Sequence, residues 1–374
     1  MNKLGEFFIP SKDFDKILQT LLKEKVVDKV VSAEIKKDWQ TISPKAVDKA
    51  GDIKDFPLSQ FLVFNYDRLD TAANYLRTKL GGAHSEKIAI VGRPCDQRAI
   101  VELAKRLQVK KENIFLIIAE DVGIVSPKEF GKFAKDSNLD VNSIARAILT
   151  PEKLTLFLKD GKVKDIDLGK DLEIQANCTR CSRKRPLFAD ILISAVGVDP
   201  KSDQIYIAAA SDQGKQVLEK SGVKLTPLTD GQKEAHDVEM QKLITAANET
   251  RKKALAEWKS LPSGKKLEML NKCTMCGMCI NACPVCFCKD CNLQKQRKEG
   301  TIDNIAYQVT RVTHVGDVCI LCGRCALVCP MDLPLDLYFA TMNDFTCEEF
   351  AYEPGMEPEK AFPRSVQAVR AKAK

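Results

Sequence analysis

The sequence predicts an α/β amino-terminal domain followed by a smaller α+β unit, and three observations carry that prediction. K-I-A-I-V-G at 87–92 and N-I-F-L-I-I-A at 113–119 are apolar runs flanking a helix-like stretch that reaches Leu107, a β-loop-α-β arrangement implying a parallel strand pair. The cysteines concentrate late in the chain, in two runs of the same spacing at 273–284 and 319–330. Between these regions, from about 234 to 261, the chain turns helical and highly charged, as a connector between domains would.

At 11–25, Phe14, Ile17, Leu18, Leu21 and Leu22 recur at helical spacing behind Ser11, a residue type that caps helix starts. Val26, Val27, Val30 and Val31 read as a buried strand after that helix. The strand at 87–92 ends in Arg93-Pro94-Cys95-Asp96, at the carboxyl end where α/β sheets place ligands. Cys95 therefore occupies a favoured position, and Arg93 and Asp96 beside it are the candidate cofactor contacts. Residues 155–168 alternate about Asp160-Gly161, a strong hairpin signal. Asn177-Cys178-Thr179-Arg180-Cys181 follows as a C-x2-C, and A-D-I-L-I-S-A-V-G at 189–197 resumes a strand. The expected boundaries are 1–232 for the α/β domain, 233–267 for the helical connector and 268–345 for the second unit, with a Cys-rich insertion at 284–318. A tail bearing Pro354, Pro358 and Pro363 closes the chain at 346–374.

The two late runs read C-T-M-C-G-M-C-I-N-A-C-P and C-I-L-C-G-R-C-A-L-V-C-P, each C-x2-C-x2-C-x3-C-P, the spacing that wraps a 4Fe-4S cubane in bacterial-type ferredoxins. Three thiolates on a tight loop converge on three corners of one cube, while the fourth, on the following helix, reaches the other cube. Cys273, Cys276, Cys279 and Cys329 are thus expected to hold one cluster, and Cys319, Cys322, Cys325 and Cys283 the second. Pro284 and Pro330 break the chain after each crossing cysteine. Gly277 and Gly323 leave room for backbone N–H groups to approach sulfide. A chain with two such one-electron stores is built to pass electrons.

Of the 15 cysteines, seven remain: Cys95, Cys178, Cys181, Cys286, Cys288, Cys291 and Cys347. C-P-V-C-F-C-K-D-C-N, which places Cys286, Cys288 and Cys291 within six residues, is an insertion a compact ferredoxin lacks. A third 4Fe-4S cluster is expected from Cys95, Cys178 and Cys181, with a fourth ligand from Cys286, Cys288 or Cys291. A small zinc site or redox pair at Cys178 and Cys181 stays open as the alternative, as does a plain buried thiol at Cys95. Cys347 stands alone.

The formal charge of +7 does not argue for nucleic acid. Lysines are interspersed with acids, no basic block is interleaved with aromatics, and each four-thiolate cluster would contribute about −2. No apolar stretch approaches a membrane span, and no apolar segment follows Lys3, so a cytoplasmic protein is expected. His84, His236 and His314 show no HxxxH pairing, so a histidine-built metal site is not expected. There is no Ser-His-Asp or phosphate-loop constellation, no G-x-G-x-x-G, and no glycine pair in Pro10-Ser11-Lys12-Asp13-Phe14.

Gly92-Arg93-Pro94-Cys95 after a strand, C-x2-C at 178–181 before A-D-I-L-I-S-A-V-G, and C-P-V-C-F-C-K-D-C within a two-cluster ferredoxin together resemble one family. It is that of the beta subunits of F420-reducing hydrogenases and F420-dependent formate dehydrogenases, a likeness extending over roughly 80–360 with M-D-L-P-L at 331–335 and F-A-Y-E-P-G at 350–355. The resemblance implies an FAD-containing oxidoreductase subunit of an anaerobe. It would exchange a hydride with F420 or NAD(P)H and feed single electrons into 4Fe-4S clusters. Its partner would be a catalytic dehydrogenase or hydrogenase subunit, or a heterodisulfide-reductase-like complex. The competing expectation is a flavin-free electron-relay and docking subunit of such a complex.

Overall fold

Among the described residues, eight of eleven strands form one mixed sheet, whose centre is the parallel set expected from 87–119. The computed structural model describes residues 3–67 and 69–364, so the end of the expected tail, 365–374, lies outside the described residues. In chain order the strands are β1 (Gly5–Pro10), β2 (Lys29–Ile35), β3 (Ile42–Val47), β4 (Ile88–Gly92), β5 (Ile114–Ala119), β6 (Ile144–Leu149), β7 (Lys153–Leu158), β8 (Val163–Asp167), β9 (Ile191–Ser194), β10 (Gln204–Ala209) and β11 (Thr226–Pro227). The main sheet runs β11-β1-β10-β9-β5-β4-β2-β3. β4 pairs parallel with β2 and β5, and β5 with β9, while β1, β3, β10 and β11 pair antiparallel. Parallel strands covered on both faces need continuous apolar sequence, which is why I-A-I-V-G is buried along its whole length.

The helix Phe14–Lys23 buries Phe14, Ile17, Leu18 and Leu21. Ser11 does not cap it: a short turn, Ser11–Asp13, intervenes, and the Ser11 hydroxyl donates to Asp203 at 2.6 Å. β2 starts at Lys29, later than the valine run suggests, because Val26 and Val27 donate back to the Leu21 carbonyl and close the helix over a left-handed Lys25. β1 has no counterpart among the expected strands; its half-buried G-E-F-F-I-P gains its place by pairing with β10. The Asp160-Gly161 hairpin forms between β7 and β8, with Gly161 at φ 84°. With β6 it makes a separate three-stranded sheet over a small core of Trp39, Phe64 and Phe130.

The helix Asp230–Ser260 is 31 residues long, about 45 Å at 1.5 Å per residue. Thr229 and Gln232 cap it reciprocally. The cysteine-rich unit follows, and its regular elements among the described residues are helices: Ser263–Asn271 precedes the first cysteine loop, Asn304–Val315 precedes the second, and Leu335–Phe350 follows it. Its apolar residues join the same core as the sheet.

The segment 351–355 folds back onto the helix Pro94–Ala104. Fully buried Glu102 accepts from the Tyr352 hydroxyl at 2.5 Å and the Gly355 N–H at 2.7 Å, and pairs with Lys105 and Arg106. Gly355, at φ 78°, is required there: a Cβ would lie 2.6 Å from Arg98 Cβ and 2.9 Å from its carbonyl oxygen. Among the described residues no helix is long and apolar enough to cross a membrane.

Candidate metal centres

The two cysteine loops repeat one backbone. Met275 and Leu321, which precede the second cysteine of each run, are left-handed at φ 51° and 55°; Gly277 and Gly323 follow at 79° and 71°. Each glycine starts a short helix, Met278–Asn281 or Arg324–Leu327, whose end delivers Cys283 or Cys329. The carbonyls of the left-handed residues are held alike, by Arg297 Nη1 on Met275 at 2.9 Å and by Asn177 Nδ2 on Leu321 at 2.7 Å. Asn177 thus does for the second loop, from the α/β domain, what Arg297 does for the first from within the unit.

Cys273, Cys276, Cys279 and Cys329 line one cavity with Tyr307, Gln308 and Met331. Cys319, Cys322, Cys325 and Cys283 line a second with Arg311, Asn177 and Phe339. Each set combines three thiols of one run with the last thiol of the other. Among the described residues no three His, Cys, Asp or Glu side chains converge as around a single metal ion. A cubane differs, taking each thiolate at a separate corner. Burial pushes the free thiols of Cys279, Cys319, Cys322 and Cys325 up, Cys322 to about 11. Coordination would deprotonate them outright and carry that charge in bonds. The cavities also hold donors aimed at sulfur: Gln308 Nε2 lies 3.1 Å and the Met275 N–H 3.2 Å from Cys273 Sγ. The first site reaches the surface at exposed Cys276, whereas none of the four thiols of the second is exposed.

The second site is seated on the α/β domain. Arg324 Nη1 donates to the carbonyls of Asp67 and Asp70, both at 2.8 Å, and a Cβ on Gly323 would stand 2.4 Å from Asn177 Cβ. Arg180 pairs with Asp336 nearby. Two clefts border this junction. One, of about 410 Å³, is lined by Arg98, Arg180, Arg183 and Arg251 together with Cys181, Cys319 and Cys347. The other, of about 680 Å³, is lined by Tyr66, Ser126, Lys128, Lys132, Lys135 and Arg324.

The other expected residues divide. Cys95 opens the helix Pro94–Ala104, and burial with the Asp96 and Asp121 charges pushes its thiol up. Burial, with Asp121 again, pushes Cys178 up to about 12, and Arg98 Nη2 lies 3.8 Å from Cys181 Sγ. Cys286 interacts with Cys283 through its side chain, which pulls the Cys283 thiol below its ordinary range and holds that of Cys286 above it. Cys288 is exposed, and Cys291 starts the helix Asn292–Glu299. Arg93 and Asp96 bond extensively to the protein, with Arg93 Nε left without a hydrogen-bond partner among the described residues. Arg93 donates to Asp121 at 2.5 Å and to the carbonyls of Phe61, Leu62 and Gly123, and Asp96 accepts the Arg93 N–H at 3.0 Å. His236 is buried at the sheet's carboxyl edge, 2.6 Å from Glu120 and stacked on Tyr206.

Sequence reasoning missed Gln308, Arg311, Arg297 and Asn177. A signal existed for two of them: Tyr307, Gln308, Arg311, Val312 and Val315 form one buried helical face that mixes polar with apolar residues. Asn177 and Arg297 carry no such mark, because their role depends on where distant loops meet.

Residues 85–230 match the carboxyl-terminal family of the coenzyme F420 hydrogenase/dehydrogenase beta subunit, and residues 269–333 match the 4Fe-4S dicluster domain. The F420-dependent formate dehydrogenase subunit beta of Methanocaldococcus jannaschii is 29% identical over 365 residues, covering 91% of this chain and 90% of that protein. The F420-dependent formate dehydrogenase 1 subunit beta of Methanococcus maripaludis is 31% identical over 335 residues, covering 84% and 86%. A chain of the F420-reducing NiFe hydrogenase complex from Methanosarcina barkeri shares the fold at a TM-score of 0.52 and 16% identity, over 70% of this chain and 94% of that one.

Proposed function

Because the chain belongs to the F420 hydrogenase/dehydrogenase beta-subunit family and carries a 4Fe-4S dicluster domain, we propose that it moves electrons between a hydride carrier and a partner's redox centre. The carrier is F420 or NAD(P)H. The partner is a dehydrogenase or hydrogenase subunit, or a heterodisulfide-reductase-like complex. The single observation that carries this reading is the pairing of two four-cysteine cavities, one against the α/β domain and one opening at Cys276. Cys273, Cys276, Cys279 and Cys329 would hold the first cluster and Cys319, Cys322, Cys325 and Cys283 the second. The chain's own part is to anchor both loops through Arg297 and Asn177 and to keep water from the second site. Its outward-facing first site is left for the partner.

FAD, where bound, would supply the conversion of a two-electron hydride into single electrons. The residues that would hold it are those of the 680 Å³ cleft beside Arg324, where Ser126 opens a helix and Lys128, Lys132 and Lys135 offer positive charge to phosphates. A flavin-free relay is the second reading. It is favoured by the glycine-free turn at 11–13, where Ser11 is already committed to Asp203, and by the internal commitment of Arg93 and Asp96. A third cluster on Cys95, Cys178 and Cys181 draws support from the Arg98 guanidinium, whose Nη2 lies 3.8 Å from Cys181 Sγ. Anaerobically purified chain tests all three. About eight irons support two clusters and about twelve a third. Flavin released on heating, with F420- or NAD(P)H-dependent dye reduction, supports the flavin reading; iron–sulfur absorbance alone supports the relay. Colourless, iron-free protein rejects both.

A further inference from the structure

We infer that Arg311 is the fixed counter-charge shared by the two cysteine sites, and that it sets how readily they accept an electron. The inference rests on the iron–sulfur reading of those sites. Arg311 lies on the inner face of the helix Asn304–Val315 and is 2% exposed, among the largest fully buried side chains of the molecule. Its Nη2 donates to the Cys279 carbonyl of the first loop at 2.7 Å, while the side chain also lines the second cavity with Cys283, Cys319, Cys322 and Cys325. The guanidinium sits 5.0 Å over the Phe339 ring. Nε and Nη1 are buried and have no hydrogen-bond partner among the described residues.

A guanidinium keeps its proton, so it cannot escape burial by becoming neutral. Buried charge of this kind persists where something compensates it. Among the described ion pairs none involves Arg311, and the groups that would bring it negative charge, once deprotonated, are the thiols of Cys279, Cys283, Cys286 and Cys325. Neighbouring arginines are committed elsewhere: Arg324 to the carbonyls of Asp67 and Asp70, Arg297 to that of Met275. Among the described residues, Arg311 alone brings two open N–H groups and a whole charge between the two sets of thiols. Each four-thiolate cluster carries about −2 and gains another negative charge on reduction. A nearby fixed cation favours the more negative state, so Arg311 raises the potential of the clusters it faces.

The test is a potentiometric titration followed by EPR on the full chain, reconstituted anaerobically, comparing the parent with Arg311→Gln and Arg311→Lys. With iron retained, Arg311→Gln is expected to make reduction of at least one site about tenfold or more less favourable, 59 mV for a one-electron couple, and Arg311→Lys to stay within about threefold of the parent. Loss of iron from the Gln variant alone also supports the inference, since the charge is then needed for the clusters to bind. Three results overturn it: a Gln variant that keeps its iron with unchanged potentials, a Lys variant shifted as far as the Gln variant, or equal loss of iron from both. A parent chain that takes up no iron would instead reject the iron–sulfur reading itself.

Discussion

Alanine at Gly323 and alanine at Gly277 look like the same change, since the two residues occupy matched places in matched loops. Both are left-handed, at φ 71° and 79°, so each substitution costs about 1–2 kcal/mol in backbone conformation. Their surroundings differ. At Gly277 the new Cβ meets only the ends of long side chains, Arg297 Nη1 at 3.1 Å and the Gln294 amide at 3.2 Å, which need give only a few tenths of an ångström, so Arg297 can keep its bond to the Met275 carbonyl. At Gly323 it would lie 2.4 Å from Asn177 Cβ and 2.5 Å from its Cγ. Asn177 cannot retreat cheaply, because its amide holds the Leu321 carbonyl at 2.7 Å and its backbone belongs to the turn Ala176–Thr179. Overpacking adds about 1–3 kcal/mol and the lost hydrogen bond about 1 kcal/mol. Gly323→Ala is therefore expected to destabilise by about 3–6 kcal/mol and Gly277→Ala by about 1–2 kcal/mol. Urea unfolding of the anaerobic holoprotein, followed by far-ultraviolet circular dichroism and iron–sulfur absorbance, measures both. Asn177→Gly should recover part of the Gly323→Ala loss despite removing a hydrogen bond. Equal losses at the two glycines, or no coupling between 177 and 323, would refute the proposed seat of the second motif.

Cys329→Ser should remove the same cluster as Cys273→Ser, leaving about four irons and the same residual EPR signal; matching Cys319→Ser instead would contradict crossed ligation. Arg93→Ala strands Asp121 and three carbonyls, so it should cost about 3–5 kcal/mol and unfold the α/β domain together, as circular dichroism would report. A selective loss of cofactor with unchanged stability would return Arg93 to a binding role. Glu102→Ala leaves Lys105 and Arg106 without their buried partner and frees 351–355, at a cost of about 3–5 kcal/mol. Limited proteolysis should then cut between 351 and 364 first.

What could be read from sequence was whatever is encoded locally. The parallel pair at β4 and β5 follows from two apolar runs of strand length, and the β7–β8 hairpin from Asp160-Gly161. The crossed cysteine sets follow from a spacing whose geometry the chain itself dictates. Other features depend on distant segments meeting. β1 exists because β10 is there to pair with it, and Ser11 caps nothing because Asp203 competes for its hydroxyl. Arg93 and Asp96 sit where α/β sheets place ligands, and only the fold shows that Phe61, Leu62, Asp121 and the helix start engage most of their polar atoms. Arg311 was within reach, as a charge on a buried helical face four residues from Tyr307, but only the fold shows that thiols of both sites surround it.

Two iron–sulfur clusters close enough to act as one relay would show themselves in EPR of the dithionite-reduced, oxygen-free protein. The expected spectrum has about two spins per chain with the broadening of magnetically coupled neighbours, and loses that coupling when Cys283 or Cys329 is replaced by serine. A protein with no reducible signal, or with two non-interacting centres, would contradict it.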